Sequence, residues 1–375
     1  MITIIFSSIV LLIVGTICIQ WYKGIRNMPF ITQKATDSLS PNETVSVIIA
    51  AKDEEKDLAS TIRSLMNQSY SNMEVIVVND RSVDGTGRLL DQLSSAFPSL
   101  HMIHIKELPT GWLGKNHALY KGYKASSGQW LLFADADITF HERAVERSIS
   151  YAKAANLDHL ALLPENKGGS FFYRMFYIFW SIIGVWNFIA AGHAGVGAFN
   201  FMKREVYKKA GTHKAIALRP DDDMKLGKTI VDGGFNQKLG FGNGVISIQW
   251  YDTLREMVRG LEKNLFAFMQ YRISIVIAAT LGILSFHVSP FFLVFYPSFW
   301  VSTLSAYVLL IYVFMYVKNK RYFSHPWWLV VTVPLCALIF LYCLWRSMWK
   351  TYRRGGVEWR GTTYGLDELK GRKRE

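Results

Sequence analysis

Val45-Ser46-Val47-Ile48-Ile49-Ala50 is a nearly unbroken apolar run that ends in Ala51-Lys52-Asp53-Glu54-Glu55. A run of this kind is expected as a buried strand, with its acidic residues at the carboxyl end. An amphipathic helix is expected over 57–67, a second strand over 73–79 and a second helix over 87–97. Further strands are expected over Leu100–Ile105 and Trp130–Ala134. Strand and helix alternate, which predicts an α/β fold with a mostly parallel sheet and helices on both faces. Ligands of such sheets bind beyond the carboxyl ends of the strands. The polar clusters after the first, second and fourth strands occupy those ends.

Four groups of carboxylates follow. Asp53-Glu54-Glu55 ends the first strand, and Asp80-Arg81-Ser82-Val83-Asp84-Gly85-Thr86 the second. Asp135-Ala136-Asp137 ends the strand closing at Ala134, and Asp221-Asp222-Asp223 comes later, after Arg219-Pro220. Singly, each fits a solvated turn or a helix N-cap, Asp84-Gly85 most of all. Asp135 and Asp137 resist that reading, because two carboxylates at the end of a hydrophobic strand repel each other without a cation. Hard oxygen ligands with spare coordination positions suit Mg²⁺ or Mn²⁺ bridging a diphosphate. Such an ion offsets charge developing on a leaving nucleotide. The three adjacent aspartates at 221–223 are expected to raise one another's pKa.

Hydrophobic residues make up 50% of the 375-residue chain and charged residues only 19%. The apolar residues are clustered, as in a membrane protein. The net charge is +13, with Lys and Arg gathered beside apolar runs at Lys318-Asn319-Lys320-Arg321, 350–354 and 370–374. That placement assigns the basic excess to a membrane face and away from nucleic acid. Residues 1–20 carry no charge, and Lys23 and Arg26 follow them. A secretory signal would carry its basic residue first, so 1–22 is expected as an uncleaved anchor with its C-terminal side in the cytoplasm. A polar linker follows over 31–44.

Phe171–Ala191 is rich in Phe, Tyr and Trp and holds Arg174, which suits an interfacial or acceptor-lining helix. Segments 273–295, 299–317 and 327–344 are long enough to cross a bilayer, with a basic tail over 348–375. An anchor plus three full crossings leaves that tail outside, against the positive-inside rule. A re-entrant C-terminal segment, broken at Pro290, Pro297 or Pro334, would close the count. Cys18, Cys336 and Cys343 lie in apolar runs without metal or disulfide spacing.

As an ordered set, Val47-Ile48-Ile49-Ala50-Ala51-Lys52-Asp53-Glu54, Asp80 through Thr86 and Asp135-Ala136-Asp137 resemble the inverting family-2 glycosyltransferases of GT-A fold. The resemblance covers about 45–265. It implies that Glu54 and Asp80 contact the nucleoside, and that Asp137 with Asp135 binds the metal-diphosphate. Gly114-Lys115-Asn116 is similar to the family pattern, and Lys115 is expected to neutralise phosphate charge. Asp222-Asp223-Met224-Lys225-Leu226 resembles the acceptor-side motif, which makes Asp223 the general base, with Asp222 beside it. The acceptor must lose a proton as it attacks, and a carboxylate can take it. The segment Gly192-His193-Ala194-Gly195-Val196-Gly197-Ala198-Phe199-Asn200 suits an acceptor-side loop, with His193 structural.

Arg255-Glu256-Met257-Val258-Arg259-Gly260-Leu261-Glu262-Lys263-Asn264 has helical periodicity and a basic face. This stretch, Gly111-Trp112-Leu113-Gly114-Lys115 and Trp359-Arg360-Gly361 are similar to the lipid-glycosylating branch: ceramide glucosyltransferase-like, hopanoid-associated and carotenoid-acid enzymes. The Gln-x-x-Arg-Trp motif of processive synthases is absent. The expectation is a multi-pass enzyme of the cell membrane with a cytoplasmic catalytic domain. It would move one hexose from a UDP- or GDP-sugar to a lipophilic acceptor such as a carotenoid acid or triterpenoid, with inversion. A processive polysaccharide synthase and a non-catalytic membrane scaffold are the alternatives.

Overall fold

The computed structural model describes residues 1–31, 43–262, 264–359 and 362–369. Most of the linker, Lys263, Arg360-Gly361 and the end of the tail lie outside them. The chain divides into two compact units. One comprises Met28–Lys167 and His193–Trp250; the other comprises Met1–Asn27, Gly168–Gly192 and Tyr251–Glu375. Residues 168–192, expected inside the domain at 45–265, therefore cluster with the apolar helices.

In the first unit, β1 (Val45–Ala51), β2 (Met73–Asp80), β3 (Leu100–Ile105) and β4 (Trp130–Ala134) join β6 (His159–Leu163), β8 (Asn200–Lys203) and β9 (Gln237–Phe241) in one sheet. Its order is β3-β2-β1-β4-β8-β6-β9. Neighbours pair in parallel except β8, which is antiparallel to both β4 and β6. The helices here are α2 (Leu58–Met66), α3 (Thr86–Ala96), α4 (Gly114–Ala125), α5 (Ala144–Ala154), α7 (Arg204–Lys209) and α8 (Asp222–Asp232). A second sheet holds β5 (Ile138–Phe140), β10 (Ile246–Ile248) and β7 (Glu165–Asn166).

Ile48, Leu131, Phe133, Met202, Leu226 and Ile230 share one buried cluster, which seats α8 against the middle of the sheet. Register then sets the edge. Ala51 lies opposite Asn79, and Ile49 opposite Ala134. The acidic residues after β1, β2 and β4 therefore leave the sheet side by side. Successive strands run outward from β1 through β2 to β3, whereas β4 lies on the other side of β1. This is the switch point at which open α/β sheets form their crevice.

The second unit contains α1 (Ile2–Arg26), α6 (Phe171–Ala191), α9 (Leu254–Leu261) and α10 (Leu265–Phe268). It continues with α11 (Ile273–Ile283), which runs through a π-helical turn, Leu284–Val288, into α12 (Ser289–Leu293). Then come α13 (Phe299–Asn319), a 3₁₀ turn at Trp327–Thr332 and α14 (Val333–Arg354). Last are a hairpin of β11 (Gly356–Trp359) and β12 (Thr362–Gly365), and α15 (Leu366–Leu369). Among the described residues, five helical stretches are long and apolar enough to cross a membrane: Ile2–Arg26, Phe171–Ala191, Ile273–Leu293, Phe299–Asn319 and Trp327–Arg354. Pro334 sits in the first turn of α14, where proline is tolerated, and Pro290 occupies the same place in α12.

Candidate active site

The loops after β1 and β2 are laced together. Asp53, in the left-handed region at φ 56°, donates its N–H to Ser82 Oγ and accepts at Oδ1 from the Val83 N–H. The Glu54 N–H donates to Thr86 Oγ1, and Gly85 donates to Glu55 Oε2. Asp84 accepts from the backbone of Thr86 and Glu55, so the turn role suits it. Asp80 is buried and takes a two-pronged ion pair from Arg81, at 2.7 Å from Nε and 3.0 Å from Nη2. Arg81 also has φ 56°.

The Gly114-Lys115-Asn116 segment at the head of α4 ties three places together. A Cβ on Gly114 would lie 2.1 Å from Asp80 Oδ2, so only glycine fits against that carboxylate. Lys115 Nζ reaches Asp135 Oδ1 at 2.7 Å. Asn116 Nδ2 donates to the carbonyls of Ile216, Ala217 and Arg219, which fixes the segment leading to α8. Burial works against the charge on Lys115. Asp135, Asp222 and Asp223 together outweigh it and hold the ammonium well above the usual lysine range.

At the end of β4, Asp137 is pushed up to about 7, by burial first and then by Asp135 and Glu54. Three carboxylates thus converge with one lysine to balance them. Among the described residues, no three His, Cys, Asp or Glu side chains could enclose a metal by themselves. The set fits a divalent cation shared between one or two carboxylates and a substrate diphosphate, the usual habit of Mg²⁺.

The three aspartates at the head of α8 divide their work. Asp221 is held by Arg219 through two bonds of 2.8 and 2.7 Å. Asp222 is buried, and His213 Nε2 lies 3.8 Å away; His213 Nδ1 in turn meets the Tyr207 hydroxyl at 2.7 Å. Burial favours protonation of Asp222, but Lys115 and then His213 prevail and keep its pKa low. Asp223 accepts at Oδ2 from the Gly197 N–H at 2.8 Å and at Oδ1 from the Met224 N–H at 2.7 Å. Burial, then the Asp222 charge, push it up to about 7. The expected mutual raising therefore holds for Asp223 and is corrected for Asp222, because a lysine remote in sequence reaches the latter.

The loop from 193 to 199 packs on the same helix. A Cβ on Gly195 would lie 1.8 Å from the Asp223 carbonyl oxygen, and one on Gly227 would lie 1.9 Å from that of Ala194. A Cβ on Gly197 would lie 3.1 Å from both Asp135 Oδ2 and Lys115 Nζ. Gln237 holds the loop, accepting from the Ala194 N–H and donating to the Gly227 carbonyl.

Residues 46–211 match the family model Glycosyl transferase family 2. The chain carries a family 2 glycosyltransferase domain. A 4,4'-diaponeurosporenoate glycosyltransferase of Staphylococcus aureus (strain bovine RF122 / ET3-1) is 26% identical over 351 residues, covering 87% of this chain and 90% of the relative. A second such protein, from strain N315, is 24% identical over 359 residues, 90% of this chain and 92% of its own. The Probable glycosyltransferase YdaM of Bacillus subtilis is 34% identical over 122 residues, 32% of this chain and 28% of its own. Among solved structures, a mannosyltransferase from Pyrobaculum calidifontis, in complex with GDP-Man and Mn2+, superimposes with a TM-score of 0.56 at 14% identity. It covers 93% of this chain and 99% of its own, and supports the GT-A fold.

In this glycosyltransferase the sheet edge gathers Glu54, Asp80, Asp135 and Asp137 from three strand ends. Lys115 links Asp135 to Asp222 and Asp223. Sequence reasoning missed His213, Tyr207 and Asn116 as supports, and the Gly197 N–H as a donor to Asp223. His213 sits in a short 3₁₀ turn, His213–Ile216, without a periodic signal. A backbone donor has no side-chain signature at all. Only the small-residue run from 192 to 198 pointed toward that loop.

Proposed function

We propose that this glycosyltransferase moves one hexose from a UDP- or GDP-sugar to a lipophilic acceptor, with inversion at the anomeric carbon. The observation that carries the reading is Lys115. Its ammonium is bonded to Asp135 and attracted by Asp222 and Asp223, so the strand-end carboxylates and the head of α8 belong to one charged crevice. Asp80 and Glu54 receive the nucleoside, and Asp137 with Asp135 would hold Mg²⁺ or Mn²⁺ on the diphosphate. The cation, when bound, offsets charge on the departing nucleotide.

Asp223 is the base. The acceptor oxygen bonds to the anomeric carbon from the face opposite the diphosphate; a hydroxyl acceptor gives its proton to the Asp223 carboxylate, whereas a carboxylate acceptor arrives already ionised. The bond from that carbon to the phosphate oxygen breaks, and the nucleoside diphosphate leaves with the electron pair. The Gly197 and Met224 N–H groups fix the carboxylate's rotation, and a pKa near neutrality matches a general base.

The names of the Staphylococcus relatives and the five apolar helices support a carotenoid acid or similar lipid as acceptor, on a multi-pass protein with its catalytic unit in the cytoplasm. Mass spectrometry of lipids from cells with and without the protein tests this. A lipid species heavier by one hexose supports it. A ladder of added hexoses would point to a processive synthase, and no difference would count against a lipid acceptor.

A further inference from the structure

Three polar side chains on one face of the large sheet form a chain that ends on the loop beside Asp223. Strand β6 pairs with β8 on one side and with β9 on the other. His159 therefore lies directly opposite Gln237, and two positions along from the Ala161–Asn200 pair. Residues two apart on a strand share a face, as do residues directly opposite. Asn200, His159 and Gln237 are brought together in this way. His159 is fully buried and Asn200 nearly so. His159 Nε2 meets Asn200 Oδ1, and His159 Nδ1 lies 2.7 Å from Gln237 Nε2.

Backbone groups fix the polarity of this chain. The Ala194 N–H can only donate, and it lies 2.5 Å from one end of the Gln237 amide, so that end is the oxygen. The Gly227 carbonyl can only accept, and it lies 2.9 Å from the other end, which is therefore the nitrogen. The second N–H of the amide is left for His159 Nδ1, which must accept it. The ring proton then sits on Nε2 and goes to Asn200 Oδ1. Burial takes the His159 pKa down to about 4, so the ring stays neutral near pH 7 and keeps its acceptor. Both hydrogens of the amide and both ring nitrogens are committed, and a polar network satisfied in this way is rigid.

What Gln237 joins is a contact of bare backbone. Gly195 rests on the Asp223 carbonyl and Gly227 on that of Ala194, with no room for a Cβ on either. Such a contact has no interlocking side chains, so hydrogen bonds set its register. Asp223 and Gly227 are four residues apart on α8 and share a face. The Gln237 clasp thus sits one turn along the helix from the carboxylate. Three residues along the loop from Ala194, the Gly197 N–H reaches Asp223 Oδ2 at 2.8 Å. The other carboxylate oxygen is held from within α8, by the Met224 N–H. The loop therefore supplies the second of two points that stop the carboxylate from turning.

We propose that Gln237 and His159 are positioning residues for the general base. The Asn200–His159–Gln237 chain sets the register of the 194–197 loop on α8, and through the Gly197 N–H it sets the direction of the Asp223 carboxylate.

The inference rests on Asp223 as the base, and a double-mutant cycle separates the two. Activity is read in membrane preparations as label moved from UDP-glucose or GDP-mannose into lipid. Gln237→Leu removes three hydrogen bonds at similar volume. It should lower the rate at saturating donor by about 10- to 100-fold, the cost of a small misplacement of a reacting group. Donor KM and Mn²⁺-dependent affinity for UDP and GDP should keep their wild-type values. Added to Asp223→Asn, the same change should cost no more than about twofold further, because the carboxylate it aims is gone. A second large fall in the double variant, or parallel loss of donor binding, would make Gln237 a packing residue and overturn the proposal. A wild-type rate in Gln237→Leu would overturn it too, while leaving the base assignment standing. A wild-type rate in Asp223→Asn would remove the base and the proposal together. Where Gln237→Leu fails to accumulate, His159 carries the test. His159→Asn offers Oδ1 as an acceptor in place of Nδ1 and should turn over about tenfold faster than His159→Leu, which offers none; equal rates would overturn the proposal.

Discussion

The glycosyltransferase holds two pairs of neighbouring carboxylates, Asp135 with Asp137 and Asp222 with Asp223, and treats them alike in one respect. In each pair one member is stabilised by Lys115, and the other is pushed up to about 7. They differ in what surrounds the raised member. Burial and the charges of Asp135 and Glu54 raise Asp137, a repulsion that a divalent cation would relieve. Asp223 is raised by burial, by Asp222 and to a smaller extent by Asp135, yet it is gripped by two backbone N–H groups that fix its direction. A cation site needs charge density; a base needs aim. Equal pKa values therefore do not imply equal roles.

The comparison can be broken most severely at Asp137. Asp137→Ala should abolish transfer in membrane preparations at every metal concentration, and wild-type activity would remove it from the metal-diphosphate. Asp223→Asn should slow transfer to a hydroxyl acceptor by about 10²–10⁴-fold, the range for a lost general base. A carboxylate acceptor is already ionised at neutral pH, so it should suffer less. Running both acceptor types on this variant sharpens the acceptor question as well.

The pH profile offers a milder test. The base must be ionised, so kcat should rise as pH climbs through about 7, the value to which Asp223 is raised. Removing the Asp222 charge with Asp222→Asn should shift that limb to lower pH. An unmoved limb would assign it to another group. His213→Phe should have the smallest effect, because His213 meets the crevice through Asp222 and otherwise packs on Phe133 and Tyr207. A tenfold fall in kcat, equivalent to about 1.4 kcal/mol, with unchanged KM for donor, is expected, and unchanged kcat would leave His213 with packing alone.

Much of this was legible in the sequence. Unbroken apolar strands such as β1 and β4 announce a buried parallel sheet, and the chain rule for such sheets places their acidic ends together. What escaped was long-range. Nothing near Asp222 signals that Lys115, on another helix, lowers its pKa while its neighbour rises. Strand β8 is four residues long and enters the sheet antiparallel, so no crossover pattern reveals it. Gly195 illustrates the same limit: its loop looked merely small, whereas the Asp223 backbone leaves no room for a Cβ.

The most direct test of the division of labour is Mn²⁺-dependent binding of UDP and GDP, by titration calorimetry, to Asp137→Ala and Asp223→Asn proteins in detergent. Loss of metal-dependent binding by the first, with wild-type binding by the second, is the predicted result. Metal-dependent affinity that survives Asp137→Ala, or collapses in Asp223→Asn, would contradict it.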